Sequence, residues 1–410
     1  MPSIPRTRFL PVVLVCSVLL TACAPASDRG SAPERSETPH GYVEGAREVA
    51  EAPLHLATIS ESGRLELLDL FDEHSTAVGE LGAPVAASTD GRYVFASSAA
   101  GGVTIADTGA WTVDHEDHVH YYRAEPRVLG TVHGTGQGVV RSHGTLTLVS
   151  FPQTGTVSVL DHAALGGGAL TELLTLELGP GSGPVVPLGS VILAGVDTTS
   201  GRPDTVRAFD SAGAPIAQEA CAELDGTITT TVGVVYGCAD GALLITEGTD
   251  GLAFERIPYP GVVPDAERAR VFANRAGRPT VAAPAGSTGA WLLDTRERSW
   301  TRIGTSVPLT HIAAVDDAEN HAVAVTSAGT VLVLDAASGT VLAETPPIVA
   351  SSLSRPELAA GIGLTVDAQR AYVNGAAENL VYEIDFADAA RIARTFAFDA
   401  APAFVLQTGR

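Results

Sequence analysis

The chain of 410 residues contains no lysine: its 25 basic side chains are all arginine, set against 47 acidic ones, for a net charge of −22. Without lysine, Schiff-base chemistry and a P-loop ammonium are excluded. Without a basic stripe to neutralise phosphate, nucleic acid is not an expected partner. Cysteine is scarce, at four residues, and aromatics make up only 5% of the chain. Long apolar runs are missing too, and none in this sequence is long enough to span a bilayer comfortably. Charged residues at 18% and apolar residues at 45% argue against disorder over the whole length. The acidic excess suits solubility and attracts cations.

What is present begins with a targeting segment. Arg6 and Arg8 precede an apolar stretch from Phe9 to Leu20, which runs into Leu20-Thr21-Ala22-Cys23. Small residues directly before a cysteine, at the end of such a stretch, resemble the lipobox of bacterial lipoproteins. Residues 1–22 are therefore read as a lipoprotein signal peptide and Cys23 as the lipidated residue, anchoring the protein outside the cell membrane. An ordinary signal peptide cleaved after Ala22 or Ala24 is the alternative. Residues 23–53 are rich in Pro, Ser, Gly and Glu and read as a disordered tether. Cys16 leaves with the signal peptide, so Cys221 and Cys238 remain for an oxidising compartment. A disulfide between neighbouring strands is expected, because a CxxC redox or zinc pair has a different spacing.

From Leu54 to Arg410 short β-rich runs alternate with Gly, Asp and Ser turns. One signature recurs, an apolar strand ending in Asp: at Asp69, Asp107, Asp161, Asp210, Asp294, Asp335 and Asp385, with a degenerate copy near "LAFERI". The step from Asp69 to Asp107 nearly equals that from Asp294 to Asp335, and Asp210 to Asp294 spans two such steps. A period of about 40–45 residues with four strands per unit predicts an all-β, WD40/YVTN-like β-propeller. The count of copies predicts eight blades, with seven as the alternative. Each final Asp is expected to open a turn by accepting backbone N–H groups. The first unit lacks an innermost strand, which "AFVLQTG" near the C-terminus is expected to supply.

One step breaks the period. Asp107 to Asp161 is clearly longer than the regular interval, and the excess falls on residues 113–126, "VDHEDHVHYYRAEP". The expectation is an inserted loop between the second and third units. Three of the 11 histidines, His115, His118 and His120, lie here with Asp114 and Asp117. Imidazole and carboxylate are suitable zinc ligands. In an extended segment His118 and His120 share one face, and His115 can join them through a turn. Asp114 and Asp117 can supply an oxygen ligand or hold an imidazole in one tautomer. His143, before a Gly turn, is a weaker candidate. The alternative is a solvated acidic loop without metal. No nucleophile-elbow context surrounds "GPGSGP", and no βαβ unit follows "GTGQG", so hydrolase and dinucleotide readings fail. The residues do not predict an enzyme.

Three segments carry a resemblance to a known family: "DHEDHVHYYRAEP", "VVRSHGTLTLVSFPQTGTVSVLD" and "CAELDGTITTTVGVVYGCADGALLI". They resemble the AztD-like zinc metallochaperones, extracytoplasmic propellers that hand zinc to the binding protein of a zinc ABC importer. The resemblance implies zinc as the bound metal, the importer's substrate-binding protein as partner, His143 as a family histidine and a Cys221–Cys238 bridge. The chain departs from the family pattern where Gly138, Gly181, Ser182 and Asp225 replace histidines that would point toward the axial channel. One carboxylate does not make a tetrahedral site, so Asp225 is a weak ligand candidate and the insertion the main one. The expected protein is a monomeric, membrane-anchored zinc chaperone. The alternative from another class is a degenerate propeller lipoprotein serving as a protein-interaction scaffold.

Overall fold

The computed structural model describes residues 41–115, 118–198, 201–249 and 251–410. Residues 1–40, which hold the expected signal peptide, Cys23 and the first part of the expected tether, lie outside these residues. No helix among the described residues is long and apolar enough to cross a membrane.

The described residues form antiparallel sheets of three or four short strands. Seven follow one another along the chain as simple meanders or near-meanders. The first sheet is composite, ordered Phe404–Thr408, His55–Ile59, Arg64–Asp69, Ser75–Glu80. Its register pairs Ile59 with Phe404 and His55 with Thr408. The C-terminal strand thus completes the first unit, as expected from "AFVLQTG", and closes the ring by backbone hydrogen bonds.

The core explains why the sheets stack. Eight buried apolar clusters occur among the described residues, and each is drawn mainly from two sheets that follow one another. Leu65, Leu67, Val94 and Ala106 join the first sheet to the second. Leu56, Leu68, Tyr372 and Val381 join the last sheet back to the first. Strand side chains alternate between two faces, so each central strand feeds the clusters on both sides of its sheet. Removing one such Leu or Ile from water contributes about 1.5–3 kcal/mol. This is the architecture of a β-propeller.

The recurring aspartates act largely as expected. Asp69, Asp107, Asp161, Asp210, Asp294 and Asp335 each accept at least one backbone N–H within the following turn. Asp385 instead pairs with Arg370 and Arg391. The degenerate unit is Thr227–Thr229, Val234–Cys238, Gly241–Gly248, Gly251–Pro258. "LAFERI" is its fourth strand, while its third ends in Gly248 and carries no aspartate.

Three expectations need correction. The His-rich insertion does not lie between two sheets. It interrupts the second one, between its third strand Val103–Asp107 and its fourth strand Arg127–Val132, which pair with each other. The inserted residues are also more ordered than a loop. Ala110–Asp114 pairs with Val119–Arg123, and Arg47–Val49 adds to the other side as a third strand. The end of the expected tether is therefore part of a sheet, because Val119–Arg123 has a free edge whose N–H and C=O groups need partners. Finally, the Cys221–Cys238 disulfide is present, with a Cα–Cα distance of 5.1 Å. It joins the segment after the outer strand Pro215–Ala220 to Val234–Cys238 of the next sheet, not neighbouring strands of one sheet.

Candidate metal centre

The insertion is pinched at its base. Gly109 has φ 69°, and a Cβ there would lie 2.2 Å from the Ala124 carbonyl oxygen. Ala124 N–H in turn donates to Gly109 O at 2.6 Å. Only glycine permits that approach. From this base the two strands run outward in register, pairing Trp111 with Tyr122, Val113 with His120 and Asp114 with Val119. Aromatic and β-branched residues suit such a ribbon.

The ribbon rests on a built platform. Tyr122 is fully buried and stacks on Trp111, with ring centroids 5.3 Å apart. Trp111 Nε1 donates to Gly41 O at 3.1 Å. The Arg92 guanidinium lies 3.7 Å from the Trp111 ring centroid and binds both oxygens of Asp107, at 3.0 and 2.8 Å. Thr112 Oγ1 donates to Gly409 O, and Arg123 donates to Asp69 Oδ2 at 2.6 Å. Side chains of the ribbon thus tie it to the first two sheets and to the C-terminus.

Above this platform the three histidines converge. His115 N–H donates to His118 O at 2.9 Å. Ring centroids are 5.0 Å apart for His115 and His118, 4.9 Å for His118 and His120, and 5.5 Å for His115 and His120. One nitrogen from each lies within 4.8 Å of the others. Tetrahedral zinc with Zn–N near 2.0–2.1 Å needs nitrogens about 3.4 Å apart, so small side-chain rotations suffice. His118 is exposed, while His115 and His120 are half-buried.

The fourth member comes from outside the insertion. His120 Nδ1 lies 2.7 Å from Glu48 Oε1. An ionised carboxylate only accepts, so Nδ1 carries the proton and Nε2 keeps the lone pair for a metal. This is the carboxylate–histidine arrangement that orients metal ligands. Burial, with a contribution from the Glu48 charge, pushes the Tyr122 phenol above its ordinary pKa. Sequence reading missed Glu48 because it sits in a segment of tether composition. The only local hint was "REV", a short β-prone run.

The remaining candidates fall elsewhere. Asp117 lies outside the described residues. Asp114 ends its strand, exposed, and is not one of the three converging groups. His143 ends the strand Val139–His143 and is not one of the converging histidines; it lines a cavity of about 380 Å³ with Asp90, Arg92 and His162, one wall of which is Trp111, Thr112 and Val113 of the ribbon. Asp225 is bound by Arg270 at 2.7 Å. With Gly181 and Ser182 it lines a cavity beside the strands Val139–His143, Val185–Leu188 and Thr227–Thr229. A second group, Asp317, Glu319 and His321, also satisfies the distance criterion. There Asp317 already accepts both His321 N–H and His321 Nδ1, at 2.8 and 2.6 Å. That geometry locks a turn at the start of the strand His321–Thr326.

No protein-family model matches the sequence, and no curated protein matches it. Solved structures do resemble it. Apo AztD from Citrobacter koseri shares 16% identity at a TM-score of 0.75, covering 87% of this chain and 97% of that one. A second AztD structure from the same organism gives 18% and 0.73 over the same shares. Sqt1 from Saccharomyces cerevisiae gives 12% and 0.54, covering 82% and 94%. All three are matched over nearly their whole length, and the bacterial ones superpose better, at TM-scores of 0.75 and 0.73 against 0.54. At these identities the likeness establishes architecture, and the architecture of this chain is an AztD-like β-propeller.

Proposed function

We propose that this protein is an extracytoplasmic zinc chaperone, held at the membrane through Cys23, that captures zinc at His115, His118 and His120. It would pass the ion to the substrate-binding protein of an ABC importer. It is a carrier and not an enzyme, and acts as a monomer. The observation that carries the reading is the convergence of three imidazoles on an anchored ribbon, one of them oriented by Glu48.

The chemistry suits a cargo that must leave again. Three neutral imidazoles satisfy three positions of a tetrahedral ion and leave the fourth for water or an incoming ligand. His118 is exposed, so a partner's ligand can approach from that side and replace the histidines one at a time. The net charge of −22 raises the local concentration of cations around the chain. AztD-like proteins, which the insertion resembles in sequence, supply the choice of zinc and of partner.

Calorimetric titration of the soluble domain with zinc tests this. Wild type should bind one equivalent, and His118→Ala/His120→Ala should lose at least about tenfold in affinity, since two of three ligands are removed. Equal affinity in the double variant would show that the insertion is not the site. Metal-independent capture of an importer subunit would favour the scaffold alternative.

A further inference from the structure

Among the described residues, the inner-edge strands of the successive sheets are Phe404–Thr408, Pro84–Thr89, Val139–His143, Val185–Leu188, Thr227–Thr229, Thr280–Pro284, Leu309–Ala314 and Leu364–Val366. Several of them contact the corresponding strand of the next sheet, as strands around an axis must. Among these strands Arg141 is the one residue with a permanent charge; His143 and His311 are the other titratable side chains.

Arg141 is unlike the other arginines described above. No carboxylate lies within ion-pair distance of it among the described residues. Its one protein hydrogen bond there is from a terminal nitrogen to Val140 O at 2.9 Å. Burial lowers the pKa of its guanidinium, which nonetheless stays protonated. Arg141 is half-buried, and in a chain with 47 acidic residues a partly desolvated cation without a counter-charge calls for an explanation, because removing a charge from water without a partner is costly.

Arg141 lines a cavity of about 350 Å³ between its own strand and the next two inner strands. The polar groups on that wall are mostly spoken for. Ser150 Oγ donates to Val139 O, Thr227 Oγ1 to Val235 O, and Asp225 is held by Arg270. Ser182 is the exception: it is 8% exposed and its Oγ has no hydrogen-bond partner among the described residues. Pro152, Pro184, Pro203 and Leu224 supply apolar surface. The Ser182 oxygen is itself buried, so the wall offers one planar cationic fork and an apolar lining.

We propose that this cavity binds a small organic monocarboxylate, its carboxylate gripped by the Arg141 guanidinium and its apolar body against the prolines and Leu224. A guanidinium matches a carboxylate with two parallel N–H bonds. A phosphate dianion fits less well, since a single cation leaves half its charge unmet beside Asp225. The site is separate from the histidine cluster and does not depend on the zinc reading.

Benzoate is a suitable probe, titrated calorimetrically into the full mature chain at constant ionic strength, with phosphate and chloride in parallel. Saturable one-to-one binding of benzoate is expected, with Arg141→Met weakening it by about tenfold or more and His118→Ala/His120→Ala leaving it unchanged. A second readout needs no variant: benzoate should protect Arg141 in the wild-type protein from phenylglyoxal, followed by mass spectrometry. Absence of saturable benzoate binding at millimolar concentration, tighter binding of phosphate, or unprotected Arg141 would each overturn the proposal.

Discussion

Glu48 illustrates what one side chain adds to a candidate metal centre. Its carboxylate holds the Nδ1 proton of His120 and so leaves the Nε2 lone pair for the proposed zinc. Loss of such an orienting partner typically costs about 10–100-fold in metal affinity. Glu48→Gln is therefore expected to weaken zinc binding by roughly that factor while leaving the far-ultraviolet circular dichroism unchanged. Unaltered affinity would mean that the contact orients nothing. The histidines were legible as a composition anomaly, because such a cluster among acids stands out in any reading. Glu48 was not legible: it lies far from His115 along the chain, and proximity across a sheet edge leaves no trace in local composition.

At the scale of elements, the histidines depend on a ribbon, and the ribbon on its aromatic platform. Trp111 and Tyr122 stack between the metal face and the Arg92–Asp107 pair. Deleting a buried indole typically costs about 3–5 kcal/mol, and here the loss falls on the ribbon more than on the ring. Trp111→Ala should speed amide exchange in Ala110–Arg123 and weaken zinc binding, with exchange in the other sheets unaffected. Uniform acceleration throughout the chain would instead place Trp111 in the global core. The break in the repeat period located this element along the chain. It did not show that the insertion divides a sheet, since a strand that returns only at Arg127 to pair with Asp107 looks like the start of the next unit. Nor did it show that Arg47–Val49 joins as a third strand, because pairing to a free edge is satisfied by backbone groups that any sequence carries.

For the whole molecule, stability is distributed around a closed ring, with a covalent tie at one joint. Cys221–Cys238 links successive sheets, and its loss is expected to cost about 2–4 kcal/mol. Cys221→Ser/Cys238→Ser should lower the melting temperature without altering zinc affinity. A change in zinc affinity would couple that joint to the metal face. Acid sensitivity has a nearby source. Burial holds His55, His162 and His311 below the ordinary imidazole value of 6.5. The unfolded chain takes up protons near pH 6.5 that these folded sites refuse, so each contributes stability above that pH that is lost as pH falls below it. For His311 burial is the sole cause. His311→Gln should therefore show a smaller drop in melting temperature between about pH 7.5 and 5.0 than wild type. Identical drops would mean that His311 protonates without resistance.

The regular ring was readable from the chain because its physics is periodic. Each unit must hide apolar faces on both sides, so apolar strands, turn glycines and turn-opening aspartates return at a nearly constant interval. The closing strand was readable for the same reason, as the piece missing from the first unit. The single permanent charge on the inner strands, the platform under the ribbon and the glutamate beside His120 were decided only by tertiary structure. Each depends on residues remote in sequence meeting at fixed distances, and such meetings are specified by the packing of sheets and not by any local pattern.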